Sequence, residues 1–317
     1  MGAEAIMQRM GMRSLGGVRL KSYQRMKVQE AIWAWGFILP SVLGLAIFTL
    51  IPIVASFVLS VFSWDFLTPP RYAGLANFQR LAGDARLLQS FRVTALYVVA
   101  HVGLTAAIGL ILALGVNRDL SVPLRSFLRS AYFFPVIVST ASVAIIWTYL
   151  YDTQMGVINY YLTRLGGPQI RWLSSSQWAM WSIIFMTVWK SLGFNFVLFV
   201  AGLQNIPRQY YEAAAIDGAG SWAQFRYVTV PLLSPTVFFV IVMGLIGAFQ
   251  VFDAPYIMTT GGPGDASRTV AMHIYENGLR FLRMGYASSI ALTLFAIILI
   301  ITVVQLATSK RWVIYSY

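Results

Sequence analysis

Six long apolar stretches restrict what this chain can fold into. A helix that spans a lipid bilayer needs about 20 predominantly apolar residues. Stretches of that length lie at 32–62, 93–116, 130–151, 178–203, 235–258 and 286–308. Over the whole chain 58% of the residues are apolar and 11% are charged, against about 25% charged residues in an average soluble domain. We therefore predict an all-α integral membrane protein with six transmembrane helices. The first is long and carries Pro40 and Pro52, so we expect it to be kinked or to extend beyond the bilayer.

The distribution of Lys and Arg predicts the orientation of these spans, because cytoplasmic segments of membrane proteins carry an excess of basic residues. If the N-terminus is inside, 13 Lys and Arg are cytoplasmic and 9 lie in outer segments of equal total length. We expect cytoplasmic N- and C-termini and a first span that is retained rather than cleaved as a signal peptide. The expected organisation is a basic cytoplasmic segment (1–31), a six-helix membrane domain (32–308) and a cytoplasmic tail (309–317).

Composition argues against several other classes of function. The formal net charge is +12, but the basic residues sit between apolar runs and form no stripe that would follow a nucleic acid. The sequence has no cysteine and two histidines, so disulfides, thiol catalysis and a Cys- or His-rich metal site are not expected. We predict no catalytic residues and no metal ligands.

The segment 204–235 interrupts the apolar pattern between the fourth and fifth spans. It reads QNIPRQYYEAAAIDGAGSWAQFRYVTVPLLSP, which is too polar to cross a bilayer and faces the cytoplasm in this topology. Pro207 suits a helix start, and Gly218 can end that helix in the left-handed conformation. Ser221 and Gln224 match a capping box for a following helix. The local chemistry predicts two short helices joined by a turn.

The same segment carries a family resemblance. Nine residues follow the spacing E-A-A-x-x-D-G-A-x-x-x-x-x-F-x-x-x-x-x-P-x-x-x-P: Glu212, Ala213, Ala214, Asp217, Gly218, Ala219, Phe225, Pro231 and Pro235. This pattern resembles the EAA loop of the permease subunits of bacterial ABC importers. Segments 74–78 and 249–269 resemble the sugar branch of that family, the second of them its maltose/glycerol-phosphate-type first permease. The resemblance extends over about residues 33–308.

The resemblance implies a fold, a function and partners. It implies the type I ABC importer permease (MetI-like) fold in the bacterial cytoplasmic (inner) membrane. A second, homologous permease, two ATPase subunits that bind ATP and Mg, and an extracytoplasmic solute-binding protein would be the partners, with no cofactor on this chain. Glu212 to Ala219 and Phe225 would contact the ATPase subunit as a coupling helix. The cargo would be a sugar or oligosaccharide, and a neutral sugar, an acidic oligosaccharide and a glycerol-phosphate compound all remain open.

Polar residues at membrane depth are the candidates for the substrate pathway, because they are costly there and usually face a cavity or a partner. Lys190 lies about 18 Å into the fourth span at 1.5 Å per residue, and Asp253 is expected near the outer end of the fifth. The two are interpreted either as an ion pair or as cavity-lining groups. We expect His101 to be hydrogen-bonded internally. Amides and aromatic rings that suit a sugar lie nearby: Trp189, Phe194, Asn195, Gln250 and Phe252.

Two alternative functions, an ion-coupled secondary transporter and a membrane enzyme, would each need residues of a particular kind. An ion-coupled secondary transporter commonly needs several membrane carboxylates, and Asp253 is the one carboxylate that we place within a predicted span. A membrane enzyme needs an acid–base or metal constellation, which neither His101 nor His273 has. The sequence contains no G-x-x-x-x-G-K-[ST] phosphate loop, so any ATP hydrolysis is expected in a separate subunit.

Overall fold

A computed structural model describes residues 16–117 and 120–314, with side chains from residue 26 onward. Of the expected basic segment 1–31, residues 1–15 lie outside the described residues. The chain divides into two compact units between Val58 and Leu59. Each is described by itself.

The first unit is a long helix interrupted by one wider turn. Helix α1 spans Gly16–Leu45, a π-helical turn follows at Ala46–Leu50, and α2 spans Ile51–Ser60 and ends in the second unit. The wider turn ends at Leu50, two residues before Pro52, which has no backbone N–H to donate to the preceding turn. The apolar part runs over Met26–Ser60, 35 residues, which is longer than a bilayer crossing needs.

The second unit contains the remaining helices and a two-stranded hairpin. Strand β1 (Phe62–Ser63) pairs antiparallel with β2 (Arg71–Tyr72). The helices follow in order: α3 (Ala76–Gly83), α4 (Ala85–Val116), α5 (Val122–Ile137), α6 (Thr140–Leu150), α7 (Val157–Arg164), α8 (Ala179–Gln204), α9 (Arg208–Ile216), α10 (Ser221–Gln224), α11 (Val230–Phe249), α12 (Asp253–Thr259), α13 (Val270–Tyr275) and α14 (Met284–Ser309). Two π-helical turns, Phe225–Thr229 and Glu276–Arg280, join α10 to α11 and follow α13.

Five helices of the described chain are long and apolar enough to span a membrane, and a sixth span results if α5 and α6 are counted together. The expected span at 130–151 is not one continuous helix, because α5 and α6 meet at 98°. Val138 and Ser139 between them are extended. The expected bounds of the fifth span, 235–258, are also wrong, since the continuous helical segment runs from Ser221 to Phe249.

Helix α8 organises the packing of the second unit. It contacts α4 most extensively, then α5 and α11. Close approach between α5 and α8 depends on Gly193, whose Cα faces the backbone of Tyr132 and Phe133. The buried apolar side chains form two clusters, one around Tyr97 and Ile183 and the other around Phe196 and Phe199. This arrangement fixes one face each of α4, α8 and α11 around a common space.

Candidate functional site

A cavity of about 550 Å³ lies among α4, α8 and α11. Each helix contributes residues spaced three or four apart, which is the spacing of a single helix face. From α4 these are Tyr97, His101, Val102 and Thr105; from α8 they are Thr187, Lys190, Ser191, Phe194 and Asn195; from α11 they are Val240, Met243, Gly244, Gly247 and Ala248.

The cavity faces of α8 and α11 differ in chemistry. The α8 face carries hydroxyls, an amide and an ammonium group, whereas the α11 face is apolar and contains two glycines. A Cβ atom added at Gly247 would meet nothing within 4 Å, so this part of the wall borders open space. The cavity therefore has a polar wall on α8 and an apolar wall on α11 that is open at Gly247.

The chain that follows α11 closes one end of the cavity with Gln250, Val251, Phe252 and Asp253. The placement of Asp253 inside the fifth span is wrong, because that helix ends at Phe249 and Asp253 is the first residue of the short helix α12. A carboxylate in the first turn is favoured by the helix dipole. Gln250, Val251 and Phe252 are not helical. The hydropathy of this stretch does not indicate that the helix ends there.

Six of the seven predicted pathway residues line this cavity: Lys190, Phe194, Asn195, Gln250, Phe252 and Asp253. The seventh, Trp189, packs its ring 5.6 Å from that of Trp147. Within the described chain Lys190 and Asp253 form no ion pair with each other. Of the two readings of these charges, the structure thus favours cavity-lining groups.

Sequence analysis did not identify four polar residues of the cavity: Thr105, Thr140, Thr187 and Ser191. The spacing of Thr187 and Ser191 from Lys190 was a usable signal, since residues three and one positions away flank the same helix face. His101 was expected to be internally hydrogen-bonded, yet its Nδ1 atom is buried without a partner among the described residues. No set of three or more potential metal ligands occurs in the part of the chain that the structure describes.

The segment 204–235 forms the two short helices and the turn that its sequence predicts. Helix α9 starts after Pro207 and ends where Gly218 takes a φ of 78°. The amide of Ala219 donates to the carbonyl of Ala214 over 2.9 Å, and that of Gly218 to Ala215 over 3.0 Å. These bonds satisfy carbonyls that the helix end would otherwise leave free.

The predicted capping box at Ser221 is wrong. Gly220 caps α10 without a side-chain bond, and the side-chain Nε2 of Gln224 donates to the carbonyl of Ala219 over 3.1 Å instead. The turn is thus held from Gln224 rather than from Ser221.

The motif residues of this loop divide by exposure. Glu212, Ala213, Asp217 and Gly218 are exposed, and Ala214, Ala219 and Phe225 are partly buried. Exposed apolar side chains surround them, with Ile216 87% and Trp222 75% accessible. The loop is therefore a short helix with small exposed residues and an apolar rim, a surface that suits contact with another protein. Tyr211 and Thr229 join its two halves through their hydroxyls, 3.0 Å apart.

At the opposite end of the helices, a cluster centred on Asp84 holds α4, α13 and α14 together. The Asp84 carboxylate caps α4 at the amide of Leu87, accepts from the Tyr286 hydroxyl over 2.6 Å, and lies 3.4 Å from Nε2 of His273. Burial raises the pKa of Asp84, but the bonds from Tyr286, Leu87 and His273 outweigh it, so the net pKa is lowered. Burial lowers the pKa of His273, against the opposing charge of Asp84.

An ion-pair network adjoins this cluster. Arg86 at the start of α4 pairs with Asp265 over 2.8 Å, Asp265 also pairs with Arg268, and Arg268 pairs with Glu276. Arg268 and Glu276 are each only 8% exposed. The network ties the chain between α12 and α14 to the first turn of α4.

Comparison with known proteins decides the family. Residues 105–313 match the model of the binding-protein-dependent transport system inner membrane component. The chain belongs to this family. It is 36% identical to a probable ABC transporter permease protein of Bacillus subtilis, YesP, over 91% of this chain and 94% of that one. It is 32% identical to a probable starch degradation products transport system permease protein of Thermoanaerobacterium thermosulfurigenes, AmyD, over 89% and 96%.

Solved structures share the fold. The chain superposes on a bacterial alginate ABC transporter, crystallised with an alginate-bound periplasmic protein, with a TM-score of 0.80 over 90% of this chain and 96% of that one, at 20% identity. The predicted type I ABC importer permease fold, the multi-pass location in the inner membrane and the function as an ABC transporter permease are confirmed. These matches support an ABC importer permease over an ion-coupled secondary transporter.

Proposed function

We propose that this permease imports a sugar or oligosaccharide through the cavity among α4, α8 and α11. The observation that carries the proposal is the composition of the cavity wall. Hydroxyls of Thr187 and Ser191 and the amides of Asn195 and Gln250 can exchange hydrogen bonds with sugar hydroxyls, while Phe194 offers a ring face. Mostly apolar lining with a few placed polar groups is the usual character of a small-molecule site.

The relatives support a saccharide as the class of cargo. One relative is named for starch degradation products and a structural neighbour for alginate. These names describe what those proteins transport. Whether this chain transports a cargo of the same class is tested below by binding and uptake.

We propose that the loop 204–235 couples this chain to an ATPase subunit. Its exposed Glu212, Ala213, Asp217 and Gly218 present a face without bulky side chains, which allows a groove of another protein to approach closely. The catalytic step, hydrolysis of ATP with Mg, takes place in that subunit, and this chain contributes no catalytic residue.

The incomplete wall of the cavity supports one of the remaining partners, a second permease. Phe194 and Met243 line the cavity and yet are 49% and 50% exposed, so a second, homologous permease closes the pathway against them. A solute-binding protein delivers cargo at the end formed by residues 250–283, outside the cell, and the loop 204–235 and both termini lie in the cytoplasm. ATP and the loaded binding protein can move the spans only if each binds one conformation of the importer more tightly than the other.

The test begins with the cognate binding protein, whose ligands are found by thermal shift against a panel of saccharides. The complete importer is then reconstituted in proteoliposomes, and uptake of the labelled ligand is measured. We expect uptake that requires both ATP and the binding protein and that an ion gradient alone does not drive. Uptake with an ion gradient and no ATP would overturn the proposal, as would a cognate ligand that is not a saccharide.

A further inference from the structure

Lys190 is an unusual residue to find in this wall. It is residue twelve of the 26 in α8, so it lies about 17 Å along the axis from the first residue of the helix. A cationic side chain at membrane depth is costly unless it is hydrated or paired. Amides and hydroxyls would suffice to bind a neutral sugar, so the ammonium group needs a separate explanation.

No group of the described chain neutralises Lys190. Among residues 26–117 and 120–314 it has no ion pair and no side-chain hydrogen bond. The cavity's carboxylate, Asp253, follows the far end of α11, is exposed, and lies in the first turn of its own helix. The local dipole stabilises that charge independently of Lys190.

The groups around Lys190 complete a site for an anion. Thr187, Ser191 and Asn195 line the cavity from the same helix as Lys190, and the Ser191 hydroxyl and the Asn195 amide carry hydrogen-bond donors. The Thr187 hydroxyl donates to the carbonyl of Ile183 over 2.9 Å, so it offers an accepting oxygen. Together with Lys190, the neutral donors of Ser191 and Asn195 can bind a carboxylate or sulfonate without requiring a second full charge.

We infer that Lys190 selects an anionic saccharide, one that carries a carboxylate or sulfonate, as the cargo of this permease. The inference rests on the proposed function and narrows its substrate class. Lys190 binds the acidic group in the membrane, after the binding protein has released the cargo.

The experiment compares saccharides that differ in charge. Trigalacturonate is paired with galactotriose, and a sulfonated glucose with glucose, first in thermal shift with the cognate binding protein and then in ATP-driven uptake by the complete importer. We expect the acidic member of a pair to be bound and transported. Transport of neutral saccharides alone would overturn the inference and leave the proposed function intact, whereas the absence of ATP-driven uptake of any saccharide would overturn both.

Three variants of the complete importer then isolate the role of Lys190. Lys190→Gln is expected to lower uptake of the acidic saccharide about tenfold or more, the effect of losing one charge-assisted hydrogen bond, and Lys190→Arg to retain most of it. Lys310→Gln removes an exposed charge after α14 and should leave uptake unchanged. ATPase activity stimulated by the binding protein should persist in Lys190→Gln. Unchanged uptake in Lys190→Gln, or loss of the assembled complex, would overturn the inference.

Discussion

Gly193 shows how a single hydrogen atom in place of a side chain sets the distance between two membrane helices. A methyl group there would overlap the carbonyl oxygen of Tyr132 and lie 2.7 Å from the Cα of Phe133. Because both are backbone atoms, neither can rotate away. Small residues at such crossings are a general feature of membrane helix packing.

We expect Gly193→Ala to destabilise the chain by about 1–3 kcal/mol, the usual cost of overpacking. Gly103→Ala is the matched control, since Gly103 is also in a membrane helix and a Cβ there meets nothing within 4 Å. Thermal unfolding of the purified complex in detergent should show a lower midpoint for the first variant alone. Equal midpoints would contradict the packing of α5 on α8.

The Asp84 cluster gives the chain a dependence on pH. The pKa of His273 and that of Asp84 are both lower in the folded protein than in the unfolded chain. The unfolded state therefore binds more protons on acidification, so the stability that these groups contribute above their unfolded pKa values is lost as the pH falls. The loss begins near the unfolded histidine value of about 6.5 and, for Asp84, below about 3.9.

We expect the thermal midpoint to fall between pH 7.5 and pH 5.5, and His273→Gln to reduce this fall. The glutamine amide keeps a donor for Asp84 but does not titrate. Arg268 and Glu276 also act on His273, so Glu276→Gln is measured alongside as a second variant. A pH dependence that His273→Gln leaves unchanged would show that His273 does not carry it.

Many of the individual residues that line the cavity could be predicted from the sequence. Lys190, Asn195 and Gln250 are polar residues within apolar runs, and the cost of burying them in lipid is enough to predict that they face a cavity. Thr187 and Ser191 were missed because a hydroxyl can bond to its own helix, as Thr187 does to Ile183, and so carries little cost in lipid. The absence of a Lys190–Asp253 ion pair depends on where α11 ends, which hydropathy does not report.

Among the helices and turns, the loop 204–235 was the most predictable part of the chain. Pro207 and Gly218 act through local backbone geometry, so the start and end of α9 could be read from the sequence. The 98° bend between α5 and α6 could not, because Val138 and Ser139 lie in an apolar run and nothing local requires an extended conformation there. On either side of the bend α5 packs on α8 and α6 packs on α12, and such contacts are not visible in hydropathy.

The turn after α9 supports a prediction on coupling. Gly218 has a φ of 78°, where a side chain costs about 1–2 kcal/mol, and it is exposed. We expect Gly218→Val to distort the loop and to lower ATP-driven uptake about tenfold while the membrane helices stay folded, since this strain acts only on the turn. Transport and the ratio of ATPase activity to uptake in proteoliposomes are the measurements.

Gly220→Ala is the matched control for the coupling prediction. Gly220 lies two residues further on with a φ of −69° and open space around its Cβ, so alanine fits without strain. Its transport should equal that of the unchanged chain. Full coupling in Gly218→Val would contradict the assignment of this loop as the ATPase contact.

For the molecule as a whole, the orientation in the membrane is the expectation that most needs a direct test. Because the chain has no cysteine, a single introduced cysteine can be labelled without background. Lys310 and Met155 are exposed and follow opposite ends of membrane helices. We expect a membrane-impermeant maleimide to label Met155→Cys from outside intact cells and Lys310→Cys only in inside-out vesicles.

The opposite labelling pattern would invert the topology and place the loop 204–235 outside the cell, which is incompatible with an ATPase contact. The modest excess of basic residues on the expected inner side predicts the orientation because it biases insertion. It does not act on the fold itself, and the same helices could pack identically in either orientation.

The continuous helical segment from Ser221 to Phe249 joins the coupling loop to the apolar wall of the cavity. It is about 42 Å long at 1.5 Å per residue. One residue inserted into this rod would rotate Gly244 and Gly247 by about 100° relative to α9, turning the cavity face toward a neighbouring helix or lipid. The number of residues in this helical segment therefore fixes which way its cavity face points. Insertions or deletions between Gln224 and Gly244 should abolish transport, whereas most substitutions there should be tolerated.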